Sequence, residues 1–150
     1  MKIINLEQLA REISALTGES PTQNEGVRND TTYEIQAVYL PAIVEVLVAT
    51  FNCSHLSAIT AQQREGQEDS IEVLYHFWQG TGFSFLIRLP ADAPELPSIF
   101  STLPGADFYE REVAEMFGIT FTGREETPHL LLPDDWAEGP PLRLKEAQDA

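Results

Sequence analysis

The sequence has 150 residues, 43% of them hydrophobic and 22% charged, the make-up of an ordinary globular chain able to bury roughly 70% of its unfolded surface in one core. Its 24 acidic against 9 basic residues give a net charge of −15, which repels phosphate backbones and anionic head groups and so argues against nucleic acid and lipid surfaces as partners. The single cysteine, Cys53, excludes an intrachain disulfide, a four-thiolate iron–sulfur site and a cysteine-rich zinc site in this chain, and is expected as a small buried apolar residue.

The opening "MKIINLEQLA" has too short an apolar run, broken by Glu7, for a signal peptide. No stretch approaches the roughly 20 apolar residues of a membrane span, so a soluble, cytoplasmic chain is expected. Asn5 and Gln8 form a variant capping box, and Leu6, Leu9, Ala10, Ile13 and Leu16 recur at helical spacing as far as Gly18. The polar stretch from Gly18 to Thr32 predicts a loop, and "YEIQAVYL" alternates as a strand. Pro41 opens a helix over "PAIVEVLVATF", in which Ile43, Leu47 and Phe51 share a face.

"HLSAITAQQREG" and "SIEVLYHFWQ" predict two strands around a turn at residues 64–69, and "GFSFLIRLP" continues them into a three-stranded meander. In the middle strand Ile71, Val73, Tyr75 and Phe77 share one face, and Glu72, Leu74, His76 and Trp78 the other. One face is expected to carry helices and the other to be partly covered by something else. Pro90, Pro94, Pro97 and Pro104 then punctuate a segment with room for one short helix at "LPSIF".

"FYEREVAEMFGI" comes next. Asp107 in the first turn and Gly118 as a left-handed stop predict a helix over 107–117. Tyr109, Val113, Met116 and Phe117 form its apolar stripe, and Arg111 and Glu115 are expected to pair on its wet side. Glu110 and Glu112 border the stripe on opposite edges. Burial of either needs an arginine, backbone amides or a raised pKa. The order of elements predicts an α+β fold, a two-layer sandwich of a mixed sheet with helices. Residues 1–122 would form this body and 123–150 an extended partner-docking tail, in one domain overall. The stretch "ITFTGREETPHLLLPDDWAEGPPLR", which runs into that tail, fits neither a helical nor a strand period, yet carries Leu, Trp and Pro surface that needs cover. Either it wraps its own domain, with Trp136 in a notch of the core, or it docks on another subunit through anchors such as Trp136 and Arg143.

Catalytic and metal signals are sparse. Glu110 and Glu112, two apart on a helix, point about 160° from one another and cannot straddle one substrate bond. His55, His76 and His129 show no ligand spacing with Cys53, although His129 near Glu125, Glu126 and Asp134 could gather a divalent cation. Neither a phosphate loop nor a Ser elbow is present.

The string "EREVAEMFGI", then "F-T-G", then "LLLPDDW", a glycine and "PLR" closely resembles the 30 kDa subunit of the proton-pumping NADH:quinone oxidoreductase, complex I, and its homologue in energy-converting membrane-bound [NiFe] hydrogenases. The resemblance implies an α+β domain with an extended C-terminal segment, no catalytic residue and no cofactor or metal of its own. Iron–sulfur clusters and FMN or [NiFe] would sit in partner subunits. It further implies packing against a large quinone-site or [NiFe]-type subunit and a small iron–sulfur subunit, at the inner face of the cell membrane without direct insertion. Glu110, Arg111, Glu112, Phe117, Gly118, Pro133, Asp134, Asp135, Trp136 and Arg143 match the motif, and a role in folding it and meeting partners carries over to them. The chain departs from the family where it reads Arg124, Glu125, Glu126, then Pro128, His129, instead of His-Pro-Asp and two arginines. It departs again where Leu144, Lys145 and Glu146 replace the usual Lys-Asp-aromatic-Pro. The lost positive charge leaves both quinone and hydrogenase-type assemblies open. Two rivals stand beside this reading: a free-standing acidic module that binds a basic protein, and a small acid-dependent hydrolase using Glu112 with Asp134 or Asp135.

Overall fold

The computed structural model describes residues 2–25 and 31–144. α1 (Leu6–Thr17) begins where the Asn5 side chain accepts the Gln8 amide at 3.0 Å and ends at Gly18, whose φ of 76° closes it in the left-handed region. Its Leu9 and Ile13 face inward. α2 (Leu40–Phe51) carries a proline in its first turn and buries Leu40, Ile43, Val44 and Leu47.

Five strands form one sheet in the order β1–β2–β5–β4–β3: β1 (Thr22–Glu25), β2 (Thr31–Glu34), β3 (Leu56–Gln62), β4 (Ser70–Trp78) and β5 (Gly82–Pro90). The meander β3–β4–β5 is antiparallel, and β2 joins it parallel to β5, Tyr33 opposite Phe85. The sheet is therefore mixed, and with helices packed on its inner face the fold is α+β. Pairing alternates the two faces of β4 and β5. Ile71, Val73, Tyr75 and Phe77 share the inner face with Phe83, Phe85, Ile87 and Leu89, all buried in one core with Cys53 and the inward residues of α1 and α2. On the outer face Glu72, only 5% exposed, is held by Arg88 at 3.0 Å, Arg64 at 3.1 Å and Gln62 at 3.1 Å, while Trp78 is 47% exposed.

Three expectations are corrected here. The supposed loop of residues 18–32 contains β1 and the start of β2: TQNE pairs as a short polar edge strand with TTYE, which lies between β1 and β5 and buries Tyr33 in the core. The strand of "YEIQAVYL" stops at Glu34, and residues 37–39 already wind as a 3₁₀ turn into α2. The prolines of the next segment hide β6 (Glu95–Pro97), which pairs in parallel with β7 (Thr120–Thr122) where a short helix was expected. The bonding to β7 resumes beyond Pro97, where the Ser98 amide donates to Thr122 O at 2.8 Å, so the missing N–H of Pro97 costs no ladder bond.

α3 (Asp107–Phe117) comes after a 3₁₀ turn at Pro104–Ala106, packs beside β3 and buries Val113 and Phe117 in the same core. It stops at Gly118, with φ of 71°. A Cβ there would lie 2.7 Å from Cγ of Pro140, so the stop also sets how closely the later chain approaches. Gly118→Ala is expected to cost about 1–2 kcal/mol in urea unfolding from the left-handed backbone alone, with amide shifts reaching Pro140's neighbours in NMR spectra. A neutral effect on stability would contradict this packing.

Candidate interaction surface

Glu110 is the most buried charge among the described residues, with 0% exposure. Its Oε1 accepts the Ile99 amide at 2.7 Å, and its Oε2 accepts the Ser98 hydroxyl at 2.7 Å and Nη1 of Arg124 at 2.9 Å. The carboxylate thus has both an arginine and a backbone amide, the conditions burial demands. Burial, and after it the negative charge of Glu110, push the Tyr75 phenol well above its ordinary value. Glu112, two residues on, is exposed. The 100° step explains the difference: Glu110 shares the inward side with Val113 and Phe117, and Glu112 does not.

Arg124 was not singled out by the sequence as a site residue. It also donates through Nη2 to Asp107 Oδ1 and lies 5.1 Å from the centre of the Phe100 ring. Burial alone would lower its pKa, but the Asp107 and Glu110 carboxylates raise it. Asp107 meets Arg111 at 3.7 Å, and Arg111 lies 5.8 Å from the centre of the Phe108 ring. The result is a row of aromatic, cation, anion, cation and aromatic, with Phe100 41% and Phe108 63% exposed at its ends. A guanidinium lies over each ring, and the rings keep apolar area in water.

The expected Arg111–Glu115 pair does not form. Arg111 turns to Asp107 and donates to the Pro128 carbonyl at 3.3 Å. Glu115, its side chain 10% exposed, instead accepts the successive amides of Leu130, Leu131 (2.8 Å) and Leu132 (3.3 Å), with His129 Nδ1 at 3.0 Å. The supposedly wet side of α3 is covered by the chain's own later segment. Burial pushes the Glu115 carboxyl up, but the amides of Leu131 and Leu130, His129 and the Leu132 amide outweigh it and hold it below the usual carboxylate range. Further along, the Leu142 amide donates to Met116 O at 2.9 Å, and Arg143 donates to Phe117 O at 3.3 Å and Ala91 O at 2.6 Å.

Of the residues expected at a partner surface, Glu110 and Phe117 are buried and fold the motif, and Arg111 and Arg143 are half-buried in internal bonds. Glu112, Pro133, Asp134 and Asp135 are exposed. Trp136 does not enter the core: it is half-buried, with its indole N–H on Gly139 O at 3.2 Å, and lines a cavity of about 470 Å³ between α3 and residues 119–140. Glu112, Asp134 and Asp135 do not line that cavity. His129 is spent on Glu115, and among the described residues no three His, Cys, Asp or Glu side chains are placed to share a metal ion. No helix of the described residues is long and apolar enough to cross a membrane.

Residues 33–149 match the family described as the respiratory-chain NADH dehydrogenase 30 Kd subunit. The chain is 42% identical over 81 residues to the C subunit of the NADH-quinone oxidoreductase of Roseiflexus sp. (strain RS-1), covering 52% of this chain and 46% of that one, so it spans less than half of that relative. It is 30% identical over 138 residues, 87% of each chain, to the C subunit of the F(420)H(2) dehydrogenase of Methanosarcina mazei. Among solved structures, a chain from the membrane-bound sulfane sulfur reductase, an archaeal respiratory membrane complex, superimposes with a TM-score of 0.66 at 25% identity, over 86% of this chain and 77% of that one.

Two outcomes test the site. Arg124→Met leaves Glu110 buried and uncompensated and is expected to cost about 3–5 kcal/mol in urea unfolding, whereas Glu112→Gln changes stability by less than about 0.5 kcal/mol; equal effects would contradict the assignment. Because the folded-state pKa of Glu115 is depressed, its clamp contributes above the ordinary carboxylate value of about 4.3 and is lost as pH falls through the lower folded value. Hydrogen exchange at Leu130, Leu131 and Leu132 should then speed up on acidification before the sheet opens. Protection that persists until global unfolding would contradict the clamp.

Proposed function

Because the chain belongs to the 30 kDa subunit family of the respiratory-chain NADH dehydrogenases, we propose that it is a non-catalytic structural subunit of a complex I-like NADH:quinone oxidoreductase or a related membrane-bound hydrogenase-type complex, bracing the electron-transfer subunits of the arm outside the membrane. In this reading it holds no cofactor. Iron–sulfur clusters and FMN or [NiFe] belong to its neighbours, a large quinone-site or [NiFe]-type subunit and a small iron–sulfur subunit. Electron tunnelling depends on fixed spacing between cofactors, so a rigid brace serves turnover without touching an electron.

One observation carries the proposal: the carboxylates that face inward from α3 are occupied with arginine, hydroxyl, histidine and backbone amides, while apolar side chains remain exposed around them. Glu110 and Glu115 have every oxygen engaged internally. Phe100, Phe108, Leu131 (59%) and Leu142 (55%) remain exposed, as do Pro133, Asp134 and Asp135. Exposed aromatic and aliphatic area around a fixed polar frame is the pattern of a docking surface. The membrane association of the whole assembly would come from its neighbours, leaving this chain peripheral to the inner face of the membrane.

The test keeps the fold intact. Phe100→Ser with Phe108→Ser removes only exposed rings, so circular dichroism and the urea midpoint should stay close to wild type. Copurification with the large and small subunits should fall by at least about tenfold, the loss of one buried aromatic anchor. A folded double variant that copurifies as well as wild type would overturn the docking role of this surface.

A further inference from the structure

The cavity between α3 and residues 119–140 is unevenly charged. Its acids at depth are spent: Glu110 on Arg124 and Glu115 on the amides of Leu130, Leu131 and Leu132. Of its two arginines, Arg124 is held by Asp107 and Glu110, and Arg111 by Asp107 and the Pro128 carbonyl, with the Arg111 Nε buried and without a hydrogen-bond partner. At the rim, Glu125, Glu126 and Glu138 are exposed and make no ion pair with any described residue. Between rim and floor the walls are apolar, with Ile119, Phe121, Leu132 and Trp136 among them. About 470 Å³ falls within the range of sites that enclose a ligand-sized group.

An occupant of such a place needs an apolar stem and a positive end. An anion meets three uncompensated carboxylates and a chain of net charge −15. A wholly apolar group strips water from those carboxylates with nothing in exchange. A metal ion finds no group of three ligands among the described residues. Lysine and arginine fit, since their methylene stems lie along apolar surface while the charged head stays at a polar rim. Arg111 and Arg124, which line the cavity, are the same two residues that lie over Phe108 and Phe100, so its wall runs into the proposed docking surface.

Resting on the subunit reading above, we infer that this cavity receives a lysine or arginine side chain from an extended segment of a neighbouring subunit, its stem along Leu132 and Trp136 and its head among Glu125, Glu126 and Glu138. The acid-rich chain thereby selects a basic partner segment and fixes its register, with the rim charges contributing mainly to specificity and rate of assembly.

The experiment uses the assembled complex, purified through a tag on the large subunit, with Thr127, an exposed lining residue, replaced by the photo-crosslinker p-benzoylphenylalanine. Mass spectrometry is expected to find the cross-link on a segment of another subunit that carries lysine or arginine. Adding Glu125→Gln, Glu126→Gln and Glu138→Gln together is expected to lower its yield at least about fivefold while the complex still assembles. Spermidine, a free cation of the same chemistry, should leave the cross-link to the neighbour in place. A complex that assembles but cross-links only within this chain, or to a segment without basic residues, or equally well in the triple variant, overturns the inference and leaves the subunit reading standing. Loss of the cross-link to the neighbour when spermidine is added would reassign the cavity to a free cation, and a chain that never copurifies with a large subunit would end both readings.

Discussion

A carboxylate removed from water has to be answered on every side, and in this protein that requirement falls on Glu110. Its oxygens take one amide, one hydroxyl and one guanidinium, supplied by Ile99, Ser98 and Arg124. Those three groups come from the segment after β6 and from the chain after β7, so a single charge ties α3 to both of its sequence neighbours. Replacing such a constellation by apolar residues can be neutral in stability, but leaving it half-satisfied is costly. The fold around α3 is therefore correct as a unit or not at all.

Arg124 carries that constraint outward. Because Glu110 and Asp107 hold its guanidinium, its plane is fixed against Phe100, and Asp107 in turn orients Arg111 against Phe108. Each exposed ring thus has a guanidinium over it that the carboxylates hold, a contact that favours the outward positions of Phe100 and Phe108. On the neighbouring side of α3, Glu115 gathers three consecutive amides that irregular chain would leave to water. Leu142 and Arg143 close on the C-terminal carbonyls of the same helix, where the helix dipole favours a cation. A segment without regular secondary structure thus acquires a defined path, and the cavity is the space between that path and the helix.

Much of this was legible beforehand. The capping of α1 by Asn5, the stop at Gly118 and the alternation of β4 rest on local rules, and the chain obeys them. The matched motif pointed to the right family. The pairing of β6 with β7 and of β2 with β5 was not legible, since these short strands take partners distant in sequence, and β1, although it pairs with its neighbour β2, is too short and polar to show a period of its own. The one available signal for Arg124 was arithmetic: a carboxylate expected at an apolar edge needs an arginine, and few basic residues come after it.

The sequence by itself determined the helices, their ends, the central meander and the acidity of the chain, because propensity, capping and periodicity act over a few residues. Only the tertiary structure decided which acid of the motif is buried, which arginine answers it, and that Glu115 faces backbone amides instead of Arg111. Charge pairing is decided by distance in space, and neither a helical wheel nor a motif records which strand or loop will lie across the next turn.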